Sequence, residues 1–426
     1  MTEPILLKGA RFVLTMTGQG VLEDADIRIE DGRIAGAGPL RKQRGDEVVD
    51  CRRCIILPGL VNCHTHSSMV ALRGLNDDAP LGEWLKSMWE VEGELTGETA
   101  SLASEMAFLE MVRSGTTSCL DMYEAFEAAK AADRVGIRMS NGPAFLSKFN
   151  APEKTFKDTE RFISEYKGHG TIGPVVNVHA MYTNSPETIS KAAEMSKAHD
   201  VPFHIHCSET REEVFECRKE RGKLPVEELD SLGALWEKSI LVHLGWASSW
   251  EFKRMHERGA SAVHCPSSNL KLGTGGFFPM KDLLSQGLRV GIGTDSAASN
   301  NSLDMFREMK EASLVQKGQY WDASAVRAMD VLKAATVTGN SILGTDAGRI
   351  EAGAQADLVL LKIDPVLLPL RKYTLPSALV YSATGHLVKG TMVGGEWVCL
   401  DGTMKNGKDL AGRYEHLTDK VQGALL

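Results

Sequence analysis

Imidazole and carboxylate side chains fall at the ends of successive short apolar runs, and this placement constrains the fold more than any other feature. One run ends in His64-Thr65-His66, another in His204-Ile205-His206, and three more end in His243, His264 and Asp295. A β-strand alternates faces with period 2, so both members of each H-x-H point the same way. Strand ends in a shared register converge on one mouth. Eight runs qualify as strands: Ile56–His66, Thr116–Met122, Arg138–Phe145, Val175–His179, Pro202–His206, Ser239–His243, Ala260–His264 and Arg289–Asp295. Helical stretches lie between them, among them Thr99–Ser114, Pro186–His199 and Phe278–Gln286. Alternating β and α segments predict a parallel sheet. Eight alternations predict a closed (β/α)8 TIM-type barrel of the α/β class, with its working residues at the C-terminal strand ends.

The chain has 426 residues, room for such a barrel and a further domain. The flanks differ in character from the middle. Pro4–Thr17 reads as a strand pair, and Asp26–Gly38 alternates about an Asp31-Gly32 hairpin turn. Ala356–Leu361 and Leu387–Gly402 have the same β-type pattern. The expected organisation is a small β-sandwich domain built from residues 1–55 and 351–403. It closes over a barrel of residues 56–350, with a partly helical tail at 404–426.

Lys plus Arg number 48 against 56 Asp plus Glu, a net charge of -8, and no long basic block offsets it. That balance argues against a nucleic-acid partner. No segment reaches the ~20 apolar residues of a membrane helix, and the first residues lack the basic and apolar regions of a signal peptide. Eight cysteines in a chain this long do not suggest a disulfide scaffold. Cys51-Arg-Arg-Cys54 is a C-x-x-C without a second pair, and it reads as two free thiols near a strand end. The expected setting is the cytoplasm, and the expected partner is a small-molecule substrate. A homo-oligomer, dimer or tetramer, is expected on precedent for enzymes of this size.

Imidazole and carboxylate ligands suit zinc or ferrous iron. A single histidine at a strand end is ordinarily a satisfied core residue. Histidines and an aspartate at five strand ends in one register favour a metal site.

At this point the motifs carry a resemblance. "PGLVNCHTH" (Pro58–His66), "LRGLNDDAPLGEWL" (Leu72–Leu85), "HIHCSET" (His204–Thr210), "VHLGW" (Val242–Trp246), "HCPSSNLKLG" (His264–Gly273) and "GTDSAASNNSLDMF" (Gly293–Phe306) resemble the amidohydrolase superfamily. The branch they look most like is the 5'-methylthioadenosine/S-adenosylhomocysteine deaminases, with their chlorohydrolase relatives. The resemblance implies one divalent ion, zinc first and ferrous iron second, held by His64, His66, His206 and Asp295. Strand 4 has no lysine, which by the same resemblance implies a mononuclear site. His204 lies one layer deeper and is structural. Glu209, three residues after His206, matches the catalytic proton carrier; the alternative is a capping acid before the helical Arg211–Arg221. His243 matches the histidine that assists the attacking water, and Asp295 takes that water's proton. Trp84, Glu92 and His179, with Glu209 and Asp295, match substrate contacts. Ser299 and Asn300 shape the loop after Asp295.

The implied reaction is hydrolytic deamination of an adenosine-type nucleoside, releasing ammonia and the inosine analogue. Candidates are 5'-methylthioadenosine, 5'-deoxyadenosine, adenosine and S-adenosylhomocysteine. The alternative keeps the site and changes the ring to a guanine-like purine, pterin, cytosine-like base or s-triazine, with amine or chloride leaving. The sequence departs from the branch in two places. Members that accept S-adenosylhomocysteine carry arginines after strand 3, whereas Ser140–Lys154 here has none and offers Lys148 as a point charge. Met181 stands where a proline is usual in the strand-4 motif.

Overall fold

The computed structural model describes residues 3–79, 81–92, 95, 97–405, 412, 413, 415–417 and 419. Most of the tail expected at 404–426 lies outside the described residues. Eight barrel strands follow in chain order. They are β1 (Leu60–His66), β2 (Thr116–Asp121), β3 (Arg138–Asn141), β4 (Val176–Ala180), β5 (Phe203–Cys207), β6 (Ser239–His243), β7 (Ser261–His264) and β8 (Arg289–Ile292). Sequential strands pair in parallel from β1 to β3 and from β4 to β8. Val61, Leu120, Ile240, Val242 and Val263 form one apolar cluster. They come from β1, β2, β6 and β7, strands on different sides of the barrel, so the cluster fills its interior.

Two seams close the barrel, and both depend on glycine. Past β3, the short strand Ala144–Phe145 pairs with β4. Past β8, Asp295–Ser296 pairs with Thr65 and His66 of β1. The runs Arg138–Phe145 and Arg289–Asp295, expected as single strands, are therefore each broken. A side chain at Gly142 would meet the Val175 carbonyl oxygen at 1.9 Å, and one at Gly293 would meet the His64 backbone at 2.8 Å. Bends of this kind at barrel corners select glycine. The run Ile56–His66 is divided as well. Cys54–Pro58 belongs to a different sheet, and the chain crosses into β1 at Gly59, where a Cβ would lie 2.0 Å from Thr117 Oγ1. The chain thus passes from one sheet to the other at Gly59.

N-terminal and C-terminal segments share one nine-stranded mixed sheet. They meet where Leu358–Lys362 runs antiparallel to Cys54–Pro58. Ile5–Leu14, expected as part of a strand pair, is one strand with a bulge between Leu7 and Ala10. The Asp31-Gly32 turn joins Val21–Glu30 to Arg33–Gly38 with φ of 46° and 74°, the pair of left-handed residues that a tight hairpin requires. The sheet has its own apolar core, including Leu7, Ile27, Ile34, Ile56, Leu358 and Leu360. The helix Leu375–Tyr381 lies in the same stretch of sequence but leaves this domain. Its Leu375, Leu379 and Val380 join the large barrel cluster, and Tyr381 hydrogen-bonds Ser313 of the helix Met305–Tyr320.

A buried ion pair also fastens the sheet to the barrel. The guanidinium of Arg138, at the start of β3, donates to both oxygens of Asp357 at 2.6 and 3.1 Å. Asp357 stands next to Leu358–Lys362 and is also held by the Gly394 amide at 2.7 Å.

Candidate metal and catalytic site

The C-terminal ends of β1, β5, β6 and β8 bring His64, His66, His206, His243 and Asp295 together, and all five are buried. His206 Nε2 lies 3.1 Å from His64 Nε2. Asp295 Oδ1 lies 3.2 Å from His66 Nε2 and 3.4 Å from His64 Nε2. Tetrahedral zinc holds such atoms at about 2.0–2.1 Å from the ion, which places them roughly 3.3 Å from one another. The observed separations fit that requirement.

A hydrogen-bond relay sets the tautomer of His64. The side-chain amide of Asn177 donates to the Asp121 carbonyl, Asn141 Oδ1 and the Gly142 carbonyl at 2.9–3.1 Å. Its Oδ1 is therefore an acceptor, and it takes the His204 Nδ1 proton at 2.8 Å. His204 Nε2 is then a lone pair and accepts from His64 Nδ1 at 3.0 Å. That leaves a lone pair on His64 Nε2, turned toward the other three donors. Burial pushes the His64 imidazole down to about 4 and His206 well below its ordinary value. Neutral imidazoles with converging lone pairs are a donor set that asks for a cation. Burial would raise the Asp295 carboxyl, but the adjoining His64 and His66 rings hold it well below the usual carboxylate range.

Glu209 follows β5, and its Oε1 stands 3.7 Å from His243 Nε2. The structure separates it from the capping alternative. Thr210 is the N-cap of Arg211–Arg221, accepting from the Glu213 amide at 3.1 Å. Glu213 in turn accepts from the amides of Ser208 and Glu209 at 3.0 and 2.9 Å. This clamp holds the backbone of Glu209 and leaves its carboxylate to the site. Burial raises the Glu209 carboxyl above its ordinary value, which suits a group that takes up and gives back a proton near neutrality.

Two positioning residues escaped the sequence reading although they sit inside the "HCPSSNLKLG" motif. Ser268 Oγ donates to Asp295 Oδ2 at 2.6 Å, and the Asn269 side chain lies 3.1 Å from His243 Nδ1. His264 lies outside the donor cluster, stacked on Phe278 with ring centroids 4.3 Å apart. Ser299 contacts Ser268, and Asn300 braces the Thr294 carbonyl and Glu308. The backbone is strained at the site itself: Ser208, His243 and Asp295 have φ of 52°, 76° and 58°. Such left-handed residues cost of order 1–3 kcal/mol each and cluster where function requires them.

A cavity of about 50 Å³ lies against these groups. Apolar walls come from Met69, Leu272 and the helix Leu81–Glu92, which contributes Leu81, Trp84, Leu85, Met88 and Trp89. Trp84 is buried, and its Nε1 has no hydrogen-bond partner among the described residues. His179, ending β4, also lines the cavity. Thr183 Oγ1 lies 3.0 Å from His179 Nδ1 and fixes the orientation of that ring. Tyr123 and Tyr182 complete the lining and were not anticipated. The side chain of Glu92 lies outside the described residues. Lys148 is exposed and does not line the cavity. Its neighbour Phe149 instead meets Trp89, with ring centroids 5.7 Å apart.

Fold and site define a metal-dependent hydrolase barrel. The chain belongs to the amidohydrolase family, which its residues 55–398 match. It is similar to the 5-methylthioadenosine/S-adenosylhomocysteine deaminase of Pyrococcus furiosus, 42% identical over 387 residues, 89% of this chain and 91% of that protein. The 5'-deoxyadenosine deaminase of Methanothermobacter thermautotrophicus is 39% identical over 405 residues, 92% of this chain and 94% of that protein. Among solved structures, an adenosine deaminase from Xanthomonas campestris with bound zinc superposes with a TM-score of 0.93 at 31% identity, covering 99% of this chain and 98% of that one.

Proposed function

We infer that the chain is a hydrolytic deaminase of adenosine-type nucleosides, and that it favours a small uncharged group at the 5' position. The observation that carries the reaction is the convergence of four metal donors with the Glu209–His243 pair on one buried cavity. The donor separations support zinc, held by His64, His66, His206 and Asp295. A divalent ion there supplies Lewis acidity and lowers the pKa of water at the site.

The protein's own groups do the rest. Asp295 stays ionised, with Ser268 fixing one oxygen, and accepts a proton from the attacking water. His243, oriented by Asn269, holds that water in line. Glu209 delivers its proton to the ring nitrogen as the carbon becomes tetrahedral, Asp295 passes the water's proton to the departing amine, and Glu209 recovers a proton from the new hydroxyl as the oxo group forms. The orphan donor of Trp84 and the imidazole of His179 suit a polar heterocycle and a hydroxyl.

The selectivity follows from the walls. Among the described residues lining the cavity there is no lysine or arginine, and Trp89 of its lining meets the ring of Phe149. A carboxylate entering there loses hydration with no charged hydrogen bond in return, whereas a methylthio group or a bare methyl loses nothing. We predict that 5'-methylthioadenosine and 5'-deoxyadenosine exceed S-adenosylhomocysteine in kcat/KM by about 30- to 150-fold, the equivalent of ~2–3 kcal/mol. Ammonia release under one buffer and metal condition measures this. Equal values would overturn the selectivity. Activity confined to a free base or an s-triazine would overturn the nucleoside assignment.

A further inference from the structure

The C-x-x-C pair takes no part in the chemistry above, yet the structure builds a site around it. Cys51 and Cys54 occupy the turn between the strands Glu47–Asp50 and Cys54–Pro58. The Cys54 amide donates to the Cys51 carbonyl at 2.8 Å. A hydrogen-bonded four-residue turn holds its first and last Cα atoms within about 7 Å, the range a disulfide spans. Both side chains are buried in the core of the flanking sheet. Cys51 Sγ lies 3.6 Å from the Val49 carbonyl.

The neighbouring thiol raises Cys51 and lowers Cys54, with Lys389 adding to the second effect. Burial raises the other six, Cys63, Cys119, Cys207, Cys217, Cys265 and Cys399. Cys54 also lines a cavity of about 690 Å³ whose walls include Arg52, Arg53, Lys362 and Lys389 against Asp50 and Asp364. Cys54, 3% exposed, reaches the wall of this cationic cleft, and a second thiol three residues earlier can resolve what forms on it.

We propose that Cys51 and Cys54 are a redox-active dithiol that exchanges with small anionic disulfides drawn into this cleft. The Cys54 thiolate attacks one sulfur of the incoming disulfide. That S–S bond breaks, a mixed disulfide forms on Cys54, and one thiolate leaves. Cys51 then gives up its proton and attacks the Cys54 sulfur, forming the Cys51–Cys54 bond and expelling the second thiolate. The two cysteine protons end on the two released thiols. The two electrons lost by the dithiol reduce the incoming disulfide. The proposal is independent of the deaminase reading.

The test uses the folded full chain in graded ratios of oxidised to reduced glutathione, quenched with acid, alkylated and mapped by mass spectrometry. The expected result is a Cys51–Cys54 bond whose fraction tracks the ratio. Cys51→Ser accumulates glutathione on Cys54, whereas Cys54→Ser forms neither bond nor adduct. Lys389→Gln slows oxidation by oxidised glutathione roughly 3- to 10-fold more than oxidation by the uncharged 2-hydroxyethyl disulfide. A wild-type protein that forms no Cys51–Cys54 bond at any ratio, or forms it only after unfolding in urea, overturns the proposal. Equal slowing with both disulfides overturns the selection for anions.

Discussion

Glu209 and its surroundings show how one residue acquires a role from neighbours that touch no substrate. Its carboxyl is raised by burial and faces His243, while Glu213 and Thr210 clamp the backbone beneath it. Glu209→Gln keeps the size and the clamp but cannot carry a proton. We expect kcat to fall by about 10²–10⁴-fold, while elemental analysis still finds one ion per chain. Near-normal turnover would return Glu209 to a structural role. The clamp was legible in principle, because Thr210-Arg-Glu-Glu213 is an S/T-x-x-E box. The relay through His204, Asn177 and Asn141 was not. Its members lie on β5, β4 and β3, and a hydrogen bond between strands leaves no local pattern in sequence.

Among the elements, the helix Leu81–Glu92 controls access. It covers the cavity with Leu81, Trp84, Leu85 and Met88, and the space left beneath is about 50 Å³. Pockets that take ligands of nucleoside size run to about 300 Å³ or more, and we predict that this helix shifts outward when substrate enters. Hydrogen exchange measured with and without the inosine product should show its amides protected on binding, while those of β5 and β6 change little. Unchanged exchange across 81–92 would place the entrance elsewhere. The elements themselves were legible where periodicity is local: Pro186–His199 is helical over the expected range. The breaks at Gly59, Gly142 and Gly293 were not, since each answers to an atom brought close by the tertiary fold, such as Thr117 Oγ1 or the Val175 carbonyl.

For the molecule as a whole, the coupling between sheet and barrel rests in part on Arg138 and Asp357, whose side chains are 9% and 0% exposed. Arg138→Met leaves a buried carboxylate facing an apolar chain. Removing one partner of such a pair costs about 3–5 kcal/mol, so urea denaturation should reveal a large loss, and Arg138→Met with Asp357→Asn should recover part of it. No recovery in the double variant would show that packing, not charge, sets the cost. The two-part origin of the sheet was readable from β-type patterns at both flanks. The exit of Leu375–Tyr381 to the barrel was not, because an amphipathic turn does not name the surface that will cover it.

The pairing of Cys54–Pro58 with Leu358–Lys362 has a consequence for biosynthesis. The first of these strands leaves the ribosome with nearly the whole barrel still to be translated. Until its partner arrives, Ile55, Ile56 and Leu57 lie on an open edge whose amides and carbonyls can pair with any passing strand. A nascent chain stalled or cut before Leu358 therefore carries a template for aggregation, and the period between making the two strands is when this protein most needs a chaperone.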